Sequence, residues 1–120
     1  MKKLLIAAAA LALIPAAARA ADLSGVWKVN GVFSGVISFT ATCTFRQTGA
    51  SLAGHCVDPQ NSTDAQAKGA VAGANVEFGY DTAFGGTAIH LDYKGVLQAN
   101  GSLSGTIGTG GPSGTFTATR

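Results

Sequence analysis

Charge is scarce in this 120-residue sequence. Asp, Glu, Lys and Arg make up 12% of it, against 47% apolar residues. That balance excludes intrinsic disorder, which needs many charges and few apolar side chains. Helical periodicity is missing too. After residue 20 no ten-residue stretch repeats its apolar positions every three to four residues, which excludes bundles and α/β folds. The longest apolar run, residues 4–14, is too short for a membrane-spanning helix and stops at Pro15. Two cysteines exclude a multi-disulfide scaffold, and three prolines leave long stretches free to pair as strands.

The apolar run has the build of a secretory leader. Lys2-Lys3 precedes it, and Ala18-Arg19-Ala20 places small residues at −3 and −1 of a cleavage before Ala21. Residues 1–20 are therefore expected to be a signal peptide of bacterial style. Residues 21–120, 100 of the 120, then make a single domain in the periplasm or outside the cell. The formal charge of +2 belongs to the leader: three of the eight basic residues lie in it. The remainder has five basic and six acidic residues, a net charge of −1. Neither nucleic acid nor an acidic membrane surface has an electrostatic motive to bind such a chain.

What the sequence does have is alternation. From Ile37 to Arg46, Ile37, Phe39, Ala41, Cys43 and Phe45 interleave with Ser38, Thr40, Thr42, Thr44 and Arg46. Period two is the mark of a half-buried strand. A second alternation carries Leu52, Gly54 and Cys56. With Gly49-Ala50 as a two-residue loop, glycine takes the positive φ that a type II′ turn requires. Residues whose numbers sum to 99 then face each other, which sets Cys43 opposite Cys56 on the apolar face. The rung is the narrow, non-hydrogen-bonded kind, with Cα atoms ~4.5 Å apart. In an exported chain a Cys43–Cys56 disulfide is expected, the alternative being two buried thiols.

Eight short strands follow from the same reading. The first is 23–29, closed by a turn at Asn30-Gly31. The second starts at Val32 or Ser34 and runs to Gln47, and the third is 51–58. Residues 59–67 read as the longest loop. Residues 68–72 are the fourth strand, Gly73-Ala74 a turn, and the fifth carries Val76, Phe78 and Tyr80 on one face. Residues 82–86 read as a loop. The sixth strand, 87–98, points Ile89, Leu91, Tyr93 and Leu97 inward. A three-residue loop, Ala99-Asn100-Gly101, pairs Leu97 with Leu103 and opens the seventh, 102–108. A turn at 109–112 leads to the eighth, 113–120. Hairpin-length links and in-strand glycines point to an all-β, eight-stranded antiparallel up-and-down (meander) barrel.

Nothing in the pattern marks catalysis. No serine sits in an elbow motif, and a bonded Cys43–Cys56 leaves no thiol nucleophile. His55 and His90 face outward by parity, without metal-ligand spacing toward Asp92 or Asp58. Asp58, Asp64, Asp81 and Asp92 read as carboxylates mostly in or beside loops. No cofactor, no metal and no enzymatic activity are expected. A lipid-facing outer-membrane barrel is excluded by His90, Asp92 and Lys94 on the outward face of the sixth strand.

Gly25-Val26-Trp27 at the first strand and Arg120 at the end of the last resemble the calycin group, which includes lipocalins, avidins and bacterial metalloprotease inhibitors. The resemblance implies that Trp27 and Arg120 close the barrel bottom as a cation–π pair. Ser24-Gly25-Val26-Trp27, Leu52-Ala53-Gly54-His55-Cys56 and residues 113–120 (SGTFTATR) also resemble a set of small bacterial periplasmic proteins. The named calycin activities do not transfer directly. An avidin site needs several tryptophans, the inhibitors' extended tail is reduced here to Ala21-Asp22, and the lipocalin helix has no counterpart. The expectation is a non-enzymatic barrel that binds a small apolar molecule or a protein partner. If it is hollow, Phe39, Phe78, Tyr80 and Tyr93 line the site. A secreted-protease inhibitor acting through residues 59–67, and an envelope protein without ligand, are the alternatives.

Overall fold

A computed structural model describes residues 22–120, so the expected leader lies outside the described residues. Eight strands form the architecture: β1 (Gly25–Phe33), β2 (Ile37–Thr48), β3 (Ser51–Asp58), β4 (Thr63–Ala72), β5 (Asn75–Phe84), β6 (Thr87–Leu97), β7 (Leu103–Gly108) and β8 (Gly114–Thr119). Each pairs antiparallel with the next, and β8 returns to β1, closing an up-and-down barrel.

The β2–β3 hairpin has the expected register. Thr48 faces Ser51, Cys43 faces Cys56, and Gly49 has φ +60° at the turn. The cysteines are disulfide-bonded with Cα atoms 4.0 Å apart, as a narrow rung requires. Parity then runs as expected through β2, with Phe39, Ala41, Cys43 and Phe45 buried. The β6–β7 link also matches. Leu97 faces Leu103, and Gly101 is left-handed at φ +88°.

Three boundaries differ from the expectation. Asn30-Gly31 is not a turn: β1 runs on to Phe33, and the chain reverses at Ser34-Gly35-Val36. Gly31 is there for space. A Cβ on it would sit 2.2 Å from Cε1 of Phe39, the residue it faces on β2. The reversal instead uses positive φ at Ser34 (+51°) and Gly35 (+72°). Second, residues 59–67 are not one loop. A single 3₁₀ turn, Pro59–Asn61, leads straight into β4 at Thr63. Thr63 and Ala67 are buried and Ala65 half-buried, so the strand alternates with small side chains that carry little hydrophobic signal. Third, β5 continues through Thr82 to Phe84, leaving only Gly85-Gly86, both with positive φ, as a tight hairpin loop.

The topology gives the barrel two unlike ends. The hairpins β1–β2, β3–β4, β5–β6 and β7–β8 share one end, called the mouth below. The start of β1, the end of β8 and the other hairpins share the opposite end, the base. Aromatic rings fill the space between. Phe78 stacks on Tyr93 with centroids 4.4 Å apart, Phe45 meets Phe78 at 5.0 Å, and Phe116 meets Tyr93 edge-on at 5.0 Å. Nearer the mouth Phe33, Phe39 and Phe84 form a second cluster with centroids 5.3–6.0 Å apart.

Candidate functional site

At the base the side chains close the barrel. Trp27 is fully buried, and its Nε1 donates to the Leu23 carbonyl at 2.9 Å. The Arg120 guanidinium lies over the indole, 4.6 Å from the ring centroid. Its Nη1 donates to the Asp22 carbonyl at 2.9 Å, which ties the two chain ends together. Arg120 itself stays exposed, so it lids the base from outside rather than packing within it.

Phe39, Phe78, Tyr80 and Tyr93, expected to line a cavity if the barrel is hollow, are 1–4% exposed and packed in the ring clusters. They are packed side chains of the core, and Phe78 and Tyr93 also border an open depression of about 630 Å³ that Lys68, Glu77 and Lys94 share. The Tyr80 and Tyr93 hydroxyls share a hydrogen bond of 2.7 Å. Burial pushes the Tyr80 phenol up to about 12; the bond to Tyr93 opposes the shift and the nearby Asp58 charge adds to it. Tyr93 is pushed up further, first by burial and then by Tyr80.

At the mouth the surface changes character. A cavity of about 190 Å³ is lined chiefly by Phe33, Ile37, Phe84, Ile89 and Pro112. Ile37, on the apolar face of β2, is 59% exposed, and the adjacent Val36 is 79% exposed. The reason is geometric: Ile37 opens β2 beside the β1–β2 turn and stands at the rim. Ile37 opens the alternation read from the sequence, which carries no signal for where core ends and rim begins.

Compared with known proteins, the chain matches no family model and no curated protein. The site is therefore read from its own geometry.

The polar candidates separate into an outer and an inner group. On the outer wall His90 joins Asp81 and Asp92: Nδ1 lies 2.7 Å from one carboxylate and Nε2 3.1 Å from the other. The bond to Asp81 raises the His90 pKa above its ordinary value. His55 lies 3.8 Å from Asp64, both exposed. Among the described residues no three His, Cys, Asp or Glu side chains come together as a metal site.

Inside, Asp58 ends β3, as the expected strand 51–58 has it, beside the Pro59–Asn61 turn. Its burial is what the sequence reading did not give: it is 2% exposed, on the same face of β3 as Cys56. Asn61 Nδ2 donates to its Oδ2 at 2.7 Å, and no described residue donates to Oδ1. Next to it in the ladder is Thr63, which shares a hydrogen bond with Thr82 of β5. The signal was present: Leu52, Gly54, Cys56 and Asp58 keep one parity, as do Phe78, Tyr80 and Thr82.

Proposed function

We propose that this protein is a non-enzymatic β-barrel, exported to the bacterial periplasm or secreted, which binds a small apolar molecule at its mouth. The supporting observation is the asymmetry of the two ends. One end is lidded by Trp27 and Arg120. The other presents Phe33, Ile37, Phe84 and Ile89 around an open cavity of about 190 Å³, with Val36 exposed beside it. A dry cavity of ~150 Å³ holds a benzene molecule, so the mouth has room for one ring or a short alkyl chain. The guest sits at the rim, above a filled core.

The calycin-like closed barrel supports this reading, since antiparallel barrels commonly take ligands at their mouths. The disulfide is compatible with an oxidising, exported location. Among the described residues no helix is long and apolar enough to cross a membrane. The inhibitor alternative relied on residues 59–67, most of which are strand rather than a projecting loop.

The test is a titration of the ¹⁵N-labelled exported protein with 1-octanol, followed by amide shifts. The expected result is saturable shifts confined to the rim, centred on Phe33, Ile37, Phe84 and Ile89, and abolished by Ile37→Ser. Shifts scattered over the outer wall, or none, refute the reading.

A further inference from the structure

Beside the mouth the barrel buries a carboxyl group that no basic side chain among the described residues reaches. Asp58 is buried at the end of β3, and its Oδ1 receives no hydrogen bond from any described residue. Among the described residues the basic side chains Lys28, Arg46, Lys68, Lys94 and Arg120 are all exposed, and no ion pair involves Asp58. A buried carboxylate with one oxygen unpaired is costly unless a donor, best a charged one, reaches it.

The surroundings supply further polar groups. The Tyr80 and Tyr93 hydroxyl oxygens keep acceptor lone pairs beyond the one their shared hydrogen bond uses. The wall at this level carries no β4–β5 backbone rung. The β4–β5 backbone ladder runs only from Lys68↔Gly79 to Ala72↔Asn75. Toward the mouth the Thr63–Thr82 side-chain bond spans the two strands. The adjoining Pro59–Asn61 turn ends at Ser62, left-handed at φ +52° although not glycine. Thr82 is two residues, ~7 Å along the strand, from Phe84 in the cavity wall.

From this geometry we propose that Asp58 Oδ1 is the anchor of a deeper subsite, which takes the ammonium head of a primary amine whose apolar tail lies in the mouth. The ammonium donates to Oδ1, and hydroxyl oxygens beside it are acceptors for its remaining hydrogens. The head enters where side chains, rather than a backbone ladder, hold the wall. The inference rests on the mouth reading above and adds the chemical class of the ligand.

The test compares octylamine, 1-octanol and octanoate on the exported protein by isothermal titration, with amide shifts to locate each. The expected result is octylamine about tenfold tighter than 1-octanol, octanoate weakest, and octylamine shifts reaching Asp58, Asn61 and Thr63. Asp58→Asn should erase the amine preference, bringing octylamine affinity to that of 1-octanol in the same variant. Equal affinity of the wild type for octylamine and 1-octanol at the rim overturns the anchor and leaves the mouth reading standing. Binding of octylamine alone, at Asp58, keeps the anchor and overturns the mouth. Binding of none of the three overturns both. If Asp58→Asn loses its native near-ultraviolet circular dichroism, the wild-type selectivity decides the question.

Discussion

The Cys43–Cys56 bond offers the sharpest stability prediction, because its position fixes its size. The bond joins residues 13 apart in sequence, so it closes a loop of 14 residues counted inclusively. The chain-entropy relation assigns ~3 kcal/mol to a loop of that length. Both residues face each other in the β2–β3 ladder, so the crosslink adds to a pairing already set by the strands. Replacing both cysteines by alanine keeps that ladder and removes the crosslink. For a domain of this size 1 kcal/mol moves Tm by ~4–8 °C, so the double variant should melt ~12–24 °C lower. Thermal and urea unfolding, followed by circular dichroism, measure both numbers. An unchanged fold at low temperature with the lower Tm supports the register argument. A loss below about 1 kcal/mol refutes the claim that the bond constrains the unfolded chain. Parallel melts of the wild type with and without reductant separate the crosslink from the loss of two buried side chains.

Three further predictions follow from the packing and the titrating groups. Gly31→Ala should cost ~1–3 kcal/mol in urea unfolding, because its Cβ meets the Phe39 ring at 2.2 Å; a neutral effect would show that Phe39 moves freely. The chain has two tyrosines, both buried and both with raised pKa, so native absorbance should show neither ionising near pH 10. The folded state holds these protons longer than the unfolded state does. Stability is therefore full below about pH 10 and falls as pH rises toward 12; tyrosinate absorbance of the native protein at pH 10 would contradict the packing. His90 should titrate above its ordinary value of 6.5 by proton NMR, and Asp81→Asn should lower it. The stability tied to that proton is present below pH 6.5 and lost as pH rises through the folded value; no response to Asp81→Asn would sink the assignment.

Much of the fold was legible in the sequence where side-chain size and turn chemistry agreed. Residues 37–58 alternate large apolar with polar side chains and bend at a glycine, so the limits of β3, the register and the disulfide all followed. Asn30-Gly31 misled because it carries the strongest hairpin chemistry in the chain. Here the glycine serves packing against Phe39, and the weaker Ser34-Gly35 makes the turn. Thr63, Ala65 and Ala67 misled in the other direction: they alternate, but are too small or polar to register as a buried face. The four aromatics expected around a hollow interior were correctly read as inward. Whether inward rings leave a space depends on how they stack across the barrel, which pairing arithmetic does not give. Asp58 ends the expected strand; its burial was within reach of parity, but a carboxylate beside Pro59 carries no apolar signal for an inward face.

The central claim is that the mouth, and not the interior, holds the guest. Intermolecular nuclear Overhauser contacts between 1-octanol and the protein test it most directly. Contacts from the alkyl chain to Ile37, Phe84 and Ile89 are the predicted result. Contacts to Trp27, or to the faces of Phe78 and Tyr93, would place the guest in the barrel's filled section and contradict the account.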